Sequence, residues 1–324
     1  MTRPRPKAAP LLSAALIMAC AAHALAAPPS PADPEAAIVE ELVVTARHPA
    51  PAWWRVEKEG ATVYILGVLD TPIPPDIRWR REELDARLKG ADRLIVGPRL
   101  HAGLEDIFGL LGLWSHLRIS GNLEDTLAAP LRDRFVADRL RLGKGAEPYA
   151  HWRPMVAGQL LLRDARPAGS SDVGRQIRNE AKRLDIVERA AGQYDLVPLA
   201  RTALGSLNAE ADEACLASAL DDAEAGEDIY RQAALGWARG DISAALKAPR
   251  RFDRCLLLMA GGPSLWRRST EDLADAIVRA TDKPGHSVAI VPLRRLLAKD
   301  GLIDSLQARG LKVIGPADDQ PERP

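Results

Sequence analysis

The feature that most limits how this chain can fold is the placement of its strand-forming segments. Near the start, Arg55-Val56 and residues 61–67 alternate like the arms of a β-hairpin, with Glu59-Gly60 supplying the turn. A helix is expected over 79–90, with Leu84 and Leu88 on one face, followed by a short apolar strand at 93–96. Strand character returns only late, at 286–291 and 311–314, alternating with helices at 269–280 and 301–309. The stretch between reads as helix after helix: two in 123–142 separated at Pro130, then 154–164, 173–184, 209–223, 227–239 and 242–247, with one short strand at Ile186-Val187. Strands at both ends and helices between predict an α/β (α+β) fold. Its central sheet is built from the N- and C-terminal thirds, with a largely helical middle. The expected domain spans 52–316, with a disordered tail at 317–324.

The first residues read as an export signal. Arg3, Arg5 and Lys7 form a basic head, residues 11–25 are apolar and uncharged, and Ala24-Leu25-Ala26 is the small-x-small pattern of a cleavage site. This predicts a signal peptide over 1–26 and a periplasmic or secreted product. Ile17-Met18-Ala19-Cys20 is also a loose lipobox, so the alternative is a lipoprotein anchored through Cys20. Residues 27–51 read as a flexible linker, opening on a Pro/Ala-rich run. Within it, residues 38–45 carry Ile38, Val39, Val43, Val44 and Thr45, and "VEELVVTAR" resembles the TonB box of outer-membrane receptors, which acts by strand addition. The other reading is a short edge strand of this protein itself.

The chain of 324 residues carries 44 basic and 44 acidic side chains. Losing Arg3, Arg5 and Lys7 leaves 41 against 44, a net charge near −3, which argues against a nucleic-acid partner. After cleavage at Ala26 two cysteines remain, Cys215 and Cys255, and an oxidising compartment favours a disulfide between them. No Gly-x-Ser-x-Gly elbow, P-loop or dinucleotide fingerprint is present. His101, His116 and His151 lack metal-ligand spacing and read as surface or structural residues. Arg294, Arg295 and Lys299 could bind an anion but read better as a solvated helix start.

Five stretches, in order, resemble the TraB/GumN family: "PAWWRVEKEGATVYILGVLD", "ADRLIVGP", "DVGRQIRNEAKRLDIVE", "GWARGD" and "KDGLIDSLQARGLKV". The likeness covers about 52–315. Through its relation to the Tiki metalloproteases and the erythromycin-esterase/ChaN-like fold, the resemblance implies a divalent-metal hydrolase. Two histidines and a glutamate at strand ends would hold the metal or activate water.

This chain departs from that pattern at each such position. Where the family carries G-x-x-H, it reads Gly67-Val68-Leu69-Asp70; the glutamate position falls at Gly97; the second G-x-x-H becomes Pro292-Leu293-Arg294-Arg295. The family's late arginine corresponds to Arg267 or Arg268. Arg295 is permanently charged and accepts no hydrogen bond, so it repels a cation. An Asp70–Arg295 ion pair across the former metal position is the expected replacement. No catalytic residue, metal ligand or cofactor is assigned. The sequence leans to a binding protein of the cell envelope, with an envelope protein, peptide or glycan as partner. The alternatives are a hydrolase or protease with an altered metal- or acid-based site, and an adaptor that contacts TonB.

Overall fold

The computed structural model describes residues 33–40 and 49–318. The expectations for 1–26, for Cys20, for Val43 to Thr45 and for the end of the tail concern residues outside these. Eight strands are described: β1 (Trp53–Lys58), β2 (Ala61–Val68), β3 (Arg93–Val96), β4 (Arg99–His101), β5 (Val187–Ala190), β6 (Gln193–Asp195), β7 (Gly285–Pro292) and β8 (Lys312–Ile314). Six form one mixed sheet in the order β5-β3-β7-β2-β1-β8, and β4 pairs with β6 separately.

The hairpin β1–β2 pairs Trp53 with Leu66 and Lys58 with Ala61. Its two turn residues, Glu59 and Gly60, both have positive φ, as the tight turn that matches strand twist requires. β2 runs parallel to β7 from Ala61↔Gly285 to Val68↔Pro292, and β7 runs parallel to β3, which runs parallel to β5. β8 closes the other side antiparallel to β1. The central strands read as nearly continuous apolar runs because both faces are covered: Val63, Ile65, Leu66, Val288, Ala289 and Val291 are all buried. The sheet does draw on both ends of the chain, and the helical middle adds one edge strand, β5.

The middle has its own small core, in which Leu123, Phe135, Tyr149, Leu161, Leu216 and Leu220 are buried together. Pro130 does separate two helices there. It sits in the first turn of Ala129–Arg141, where its missing N–H costs nothing. Cys215, on helix Ala209–Glu224, and Cys255, on helix Arg251–Leu258, stand at disulfide distance with Cα atoms 5.5 Å apart. The helix expected to begin at 269 begins about two turns earlier, as Gly262–Ala280. Helices Ile107–Leu117, Leu196–Gly205 and Arg251–Leu258 were not foreseen.

The Gly-Trp-Ala-Arg-Gly-Asp stretch has a local explanation. The Trp237 indole N–H donates to the Gly67 carbonyl at 2.7 Å, tying helix Glu227–Ala238 to the end of β2. Asp241 caps the next helix, Ile242–Ala245, by accepting from the Ala244 N–H at 2.9 Å. Gly236 lets that short helix approach, since a Cβ there would lie 2.6 Å from the Ala244 Cβ and 2.9 Å from the Ala245 nitrogen.

Candidate functional site

The parallel strands β2, β7 and β3 end on the same edge of the sheet. β7 lies between β3 and β2, so the chain leaving β2 must pass over it to reach β3. Such a discontinuity opens a crevice at the carboxyl ends of the strands. The positions where the family carries its site residues fall along this edge. Asp70 lies two residues past β2, Gly97 directly follows β3, Pro292 ends β7, and Arg295 sits in helix Leu293–Leu297 directly after it. Gly67, one residue before the end of β2, is held small by its neighbours. A Cβ on it would come within 2.7 Å of Leu293 Cδ1 and 3.0 Å of Trp54 Cζ3.

These positions do not converge on one point. Asp70 and Arg294 line a narrow recess with Glu35, Arg250 and Asp253. Asp70 and Asp253 also line an adjoining cavity of about 330 Å³, with Arg166, Ser170, Asp222 and Tyr230 among its walls. Gly97 lies instead on a separate groove of about 830 Å³ beside β5, with Arg178, Lys182 and Glu188. The space around Gly97 is open, with no heavy atom within 4 Å of where a Cβ would stand.

Asp70 and Arg295 influence each other through space, each favouring the other's charged form, but no hydrogen bond joins them. The expected ion pair is therefore not formed. Arg295 packs toward the Trp266 ring, its Cζ 6.0 Å from the centroid. Arg294 donates to the carbonyls of Leu246 and Ala248. Both arginines are only partly exposed, so the solvated helix start expected for them gives way to two guanidinium groups packed against the edge of the crevice. Of the two late arginines, Arg268 lies over the Tyr194 ring at 4.6 Å.

Three acids matter here that the sequence did not single out. Glu35 lies in the stretch expected to be a flexible linker, yet it is buried. It accepts from the Trp266 indole N–H at 2.9 Å and from Arg250 Nη1 at 3.3 Å, while Arg250 Nη2 also reaches Asp33 at 2.5 Å. The same segment is joined to the body by Val39 N–H to Leu297 O, Lys299 N–H to Ala37 O, and an antiparallel bridge between Ile38 and Ala298. Asp222 is buried and takes the free backbone N–H groups of Arg251 and Phe252 at 3.2 and 2.9 Å, capping that helix from a neighbouring one. Asp253 stands on the first turn of the capped helix. No periodicity or motif marks any of these three, because each acts on residues 29 or more positions away.

Three crevice carboxyls, Asp70, Asp253 and Asp222, hold their protons more tightly than usual. The concave position walled by protein pushes Asp70 up from 3.8 to about 7; repulsion from Glu35 and Asp253 adds to this, and Arg295 and Arg294 partly offset it. Asp70 nonetheless touches water along its exposed side chain. Its elevation thus reflects a protein-lined cleft rather than full enclosure, and its energetic weight is correspondingly reduced. Asp253 and Asp222 are also raised, chiefly by burial.

A divalent metal finds no fitting ligand set here. Among the described residues, no three His, Cys, Asp or Glu side chains are grouped to hold one. Glycine stands where the resemblance implies a glutamate, and two fixed positive charges flank Asp70. His101 and His116 are exposed, and His151 Nδ1 lies 2.8 Å from the Gly121 carbonyl.

A parallel-strand crevice bearing titratable groups at its carboxyl edge defines an α/β protein whose site is built from strand ends. The TraB/PrgY/gumN family profile matches residues 52–314, and the chain belongs to that family. No curated protein and no solved structure matches it. Among the described residues, no helix is long and apolar enough to cross a membrane.

Proposed function

We propose that this chain is an exported TraB-family protein that has given up metal-dependent hydrolysis and uses its strand-end crevice to bind a peptide, a glycan or another protein of the bacterial cell envelope. The observation that carries this reading is the charge pattern at the crevice. Where the resemblance calls for neutral imidazoles and a carboxylate, Asp70 stands beside Arg294 and Arg295, and Gly97 offers no side chain. Fixed guanidinium groups disfavour a cation and favour a ligand with its own hydrogen-bond acceptors. The adjoining cavity of about 330 Å³ suits a short polar segment, with Tyr230, Ser170 and Arg166 for amide or hydroxyl groups. Contact with TonB through residues 38–45 would compete with the backbone bonds that Val39 and Lys299 already make to the chain itself. The test is a panel of envelope peptides and glycan fragments, followed for binding by calorimetry and for cleavage by mass spectrometry. Binding without cleavage, weakened by Arg166→Glu, supports the reading. Metal-dependent cleavage lost in Asp70→Ala contradicts it.

A second reading, hydrolysis by acid chemistry, is favoured by one feature. Asp70 is poised near neutrality with Asp253 in electrostatic range, which suits a general acid or base. A bell-shaped rate profile without added metal, abolished in both Asp70→Asn and Asp253→Asn, would put this reading first.

A further inference from the structure

Helix Ile107–Leu117 reads IFGLLGLWSHL and holds no acid, lysine or arginine, yet only Leu113 on it is buried. Phe108, and Leu104 just before the helix, are each 85 % exposed, and Leu100, Ile107, Leu111 and Trp114 are exposed as well. At about 200 Å² for a whole large apolar residue, these six leave on the order of 800 Å² of mostly apolar surface in water. A lone soluble chain rarely shows a patch above roughly 300–600 Å². About 800 Å² is one partner's share of a standard protein–protein interface.

The shape of this face points to its occupant. The helix is one wall of an apolar groove of about 860 Å³, whose other walls include Leu199, Leu256 and Met259. Phe108 and Gly112 lie on the face of the helix turned away from that groove, so a second copy meets them helix to helix across a two-fold axis. Within the helix, Gly109 rests against Val197, where a Cβ would lie 2.6 Å from Cγ1, while a Cβ at Gly112 would meet nothing within 4 Å. Gly112 is one turn from Phe108 and shares its face. In an antiparallel crossing, Phe108 of one copy covers Gly112 of the other and the reverse, the reciprocity that a two-fold interface demands.

We propose that this face is a homodimer interface, with helix Ile107–Leu117 packed antiparallel against its counterpart in a second copy. The interface is independent of the crevice chemistry and does not rest on it. Sedimentation equilibrium of the purified full chain tests it. The wild type is expected to dimerise reversibly, and Phe108→Asp should weaken association by at least about 30-fold, as loss of an interface hot spot does. The far-UV circular dichroism and thermal midpoint should stay unchanged, because Phe108 stands almost wholly outside its own chain. Mixed Phe108→Cys and Gly112→Cys copies should cross-link to one another under oxidation. A wild type that stays monomeric across the concentration range would overturn the proposal, as would a dimer unaffected by Phe108→Asp. So would a monomer that floats with phosphatidylglycerol vesicles through Phe108.

Discussion

Replacing Asp70 with asparagine removes one charge from the crevice at almost constant size, and the structure sets how stability should respond. In the unfolded chain the carboxyl titrates at its ordinary 3.8; in the folded protein it is raised to about 7. At pH below 3.8 the group is protonated in both states and costs nothing. Between there and about 7 the folded protein holds a proton that the unfolded chain has released. Stability therefore falls as pH rises through this window, and the full cost is present above it. Each pH unit is worth about 1.4 kcal/mol, so complete enclosure would give about 4 kcal/mol. Asp70 touches water, and screening reduces this to roughly 1–2 kcal/mol. Asparagine carries no such cost. Urea unfolding of both proteins from pH 4 to 8 should thus show the variant gaining about 1–2 kcal/mol on the wild type across the range, apart from a constant offset. Subtracting the two profiles cancels most of the similar behaviour of Asp253 and Asp222. A difference that does not vary with pH, or that favours the wild type as pH rises, would show that Asp70 ionises freely and that the crevice is not a protein-walled carboxylate site.

Glu35→Ala should cost about 2–4 kcal/mol in chemical denaturation, because it strands the Trp266 indole N–H and weakens the hold on Arg250 in a buried setting. It should also lower the titration point of Asp70 by removing a like charge, which carboxyl NMR can follow. Trp237→Phe should cost about 1–3 kcal/mol by leaving the Gly67 carbonyl unpaired, with a loss of thermal midpoint and a disturbed crevice edge. Serine at both Cys215 and Cys255 should lower unfolding free energy by roughly 3–4 kcal/mol in the chain-entropy account, and reductant should have no further effect on that variant.

The sheet was legible because its signals are local. The hairpin turn at Glu59-Gly60, the apolar runs of β2 and β7, and the helix before β3 are each set by residues close in sequence. The strand ends carrying Asp70, Gly97, Pro292 and Arg295 followed from the same segments. What escaped notice depends on contacts between distant residues. Glu35 sits among prolines and alanines, and only the fold brings Trp266 and Arg250 to it. Asp222 looks like one more acid on a helix until the backbone of Phe252 arrives. The helix Ile107–Leu117 lacked the polar–apolar rhythm that reveals a surface helix, since its outer face is as apolar as its inner one. The Asp70–Arg295 pairing failed for a similar reason. Trp266 and the carbonyls of Leu246 and Ala248 offered the two arginines other places to pack.

Whether the TraB-family crevice of this chain binds a metal is tested most directly by elemental analysis. The purified protein would be dialysed against zinc, manganese and cobalt, freed of excess ion and measured by plasma mass spectrometry alongside Asp70→Ala. The proposed function requires metal well below one equivalent and no difference between the two proteins. One tightly held equivalent in the wild type, lost in Asp70→Ala, would contradict it.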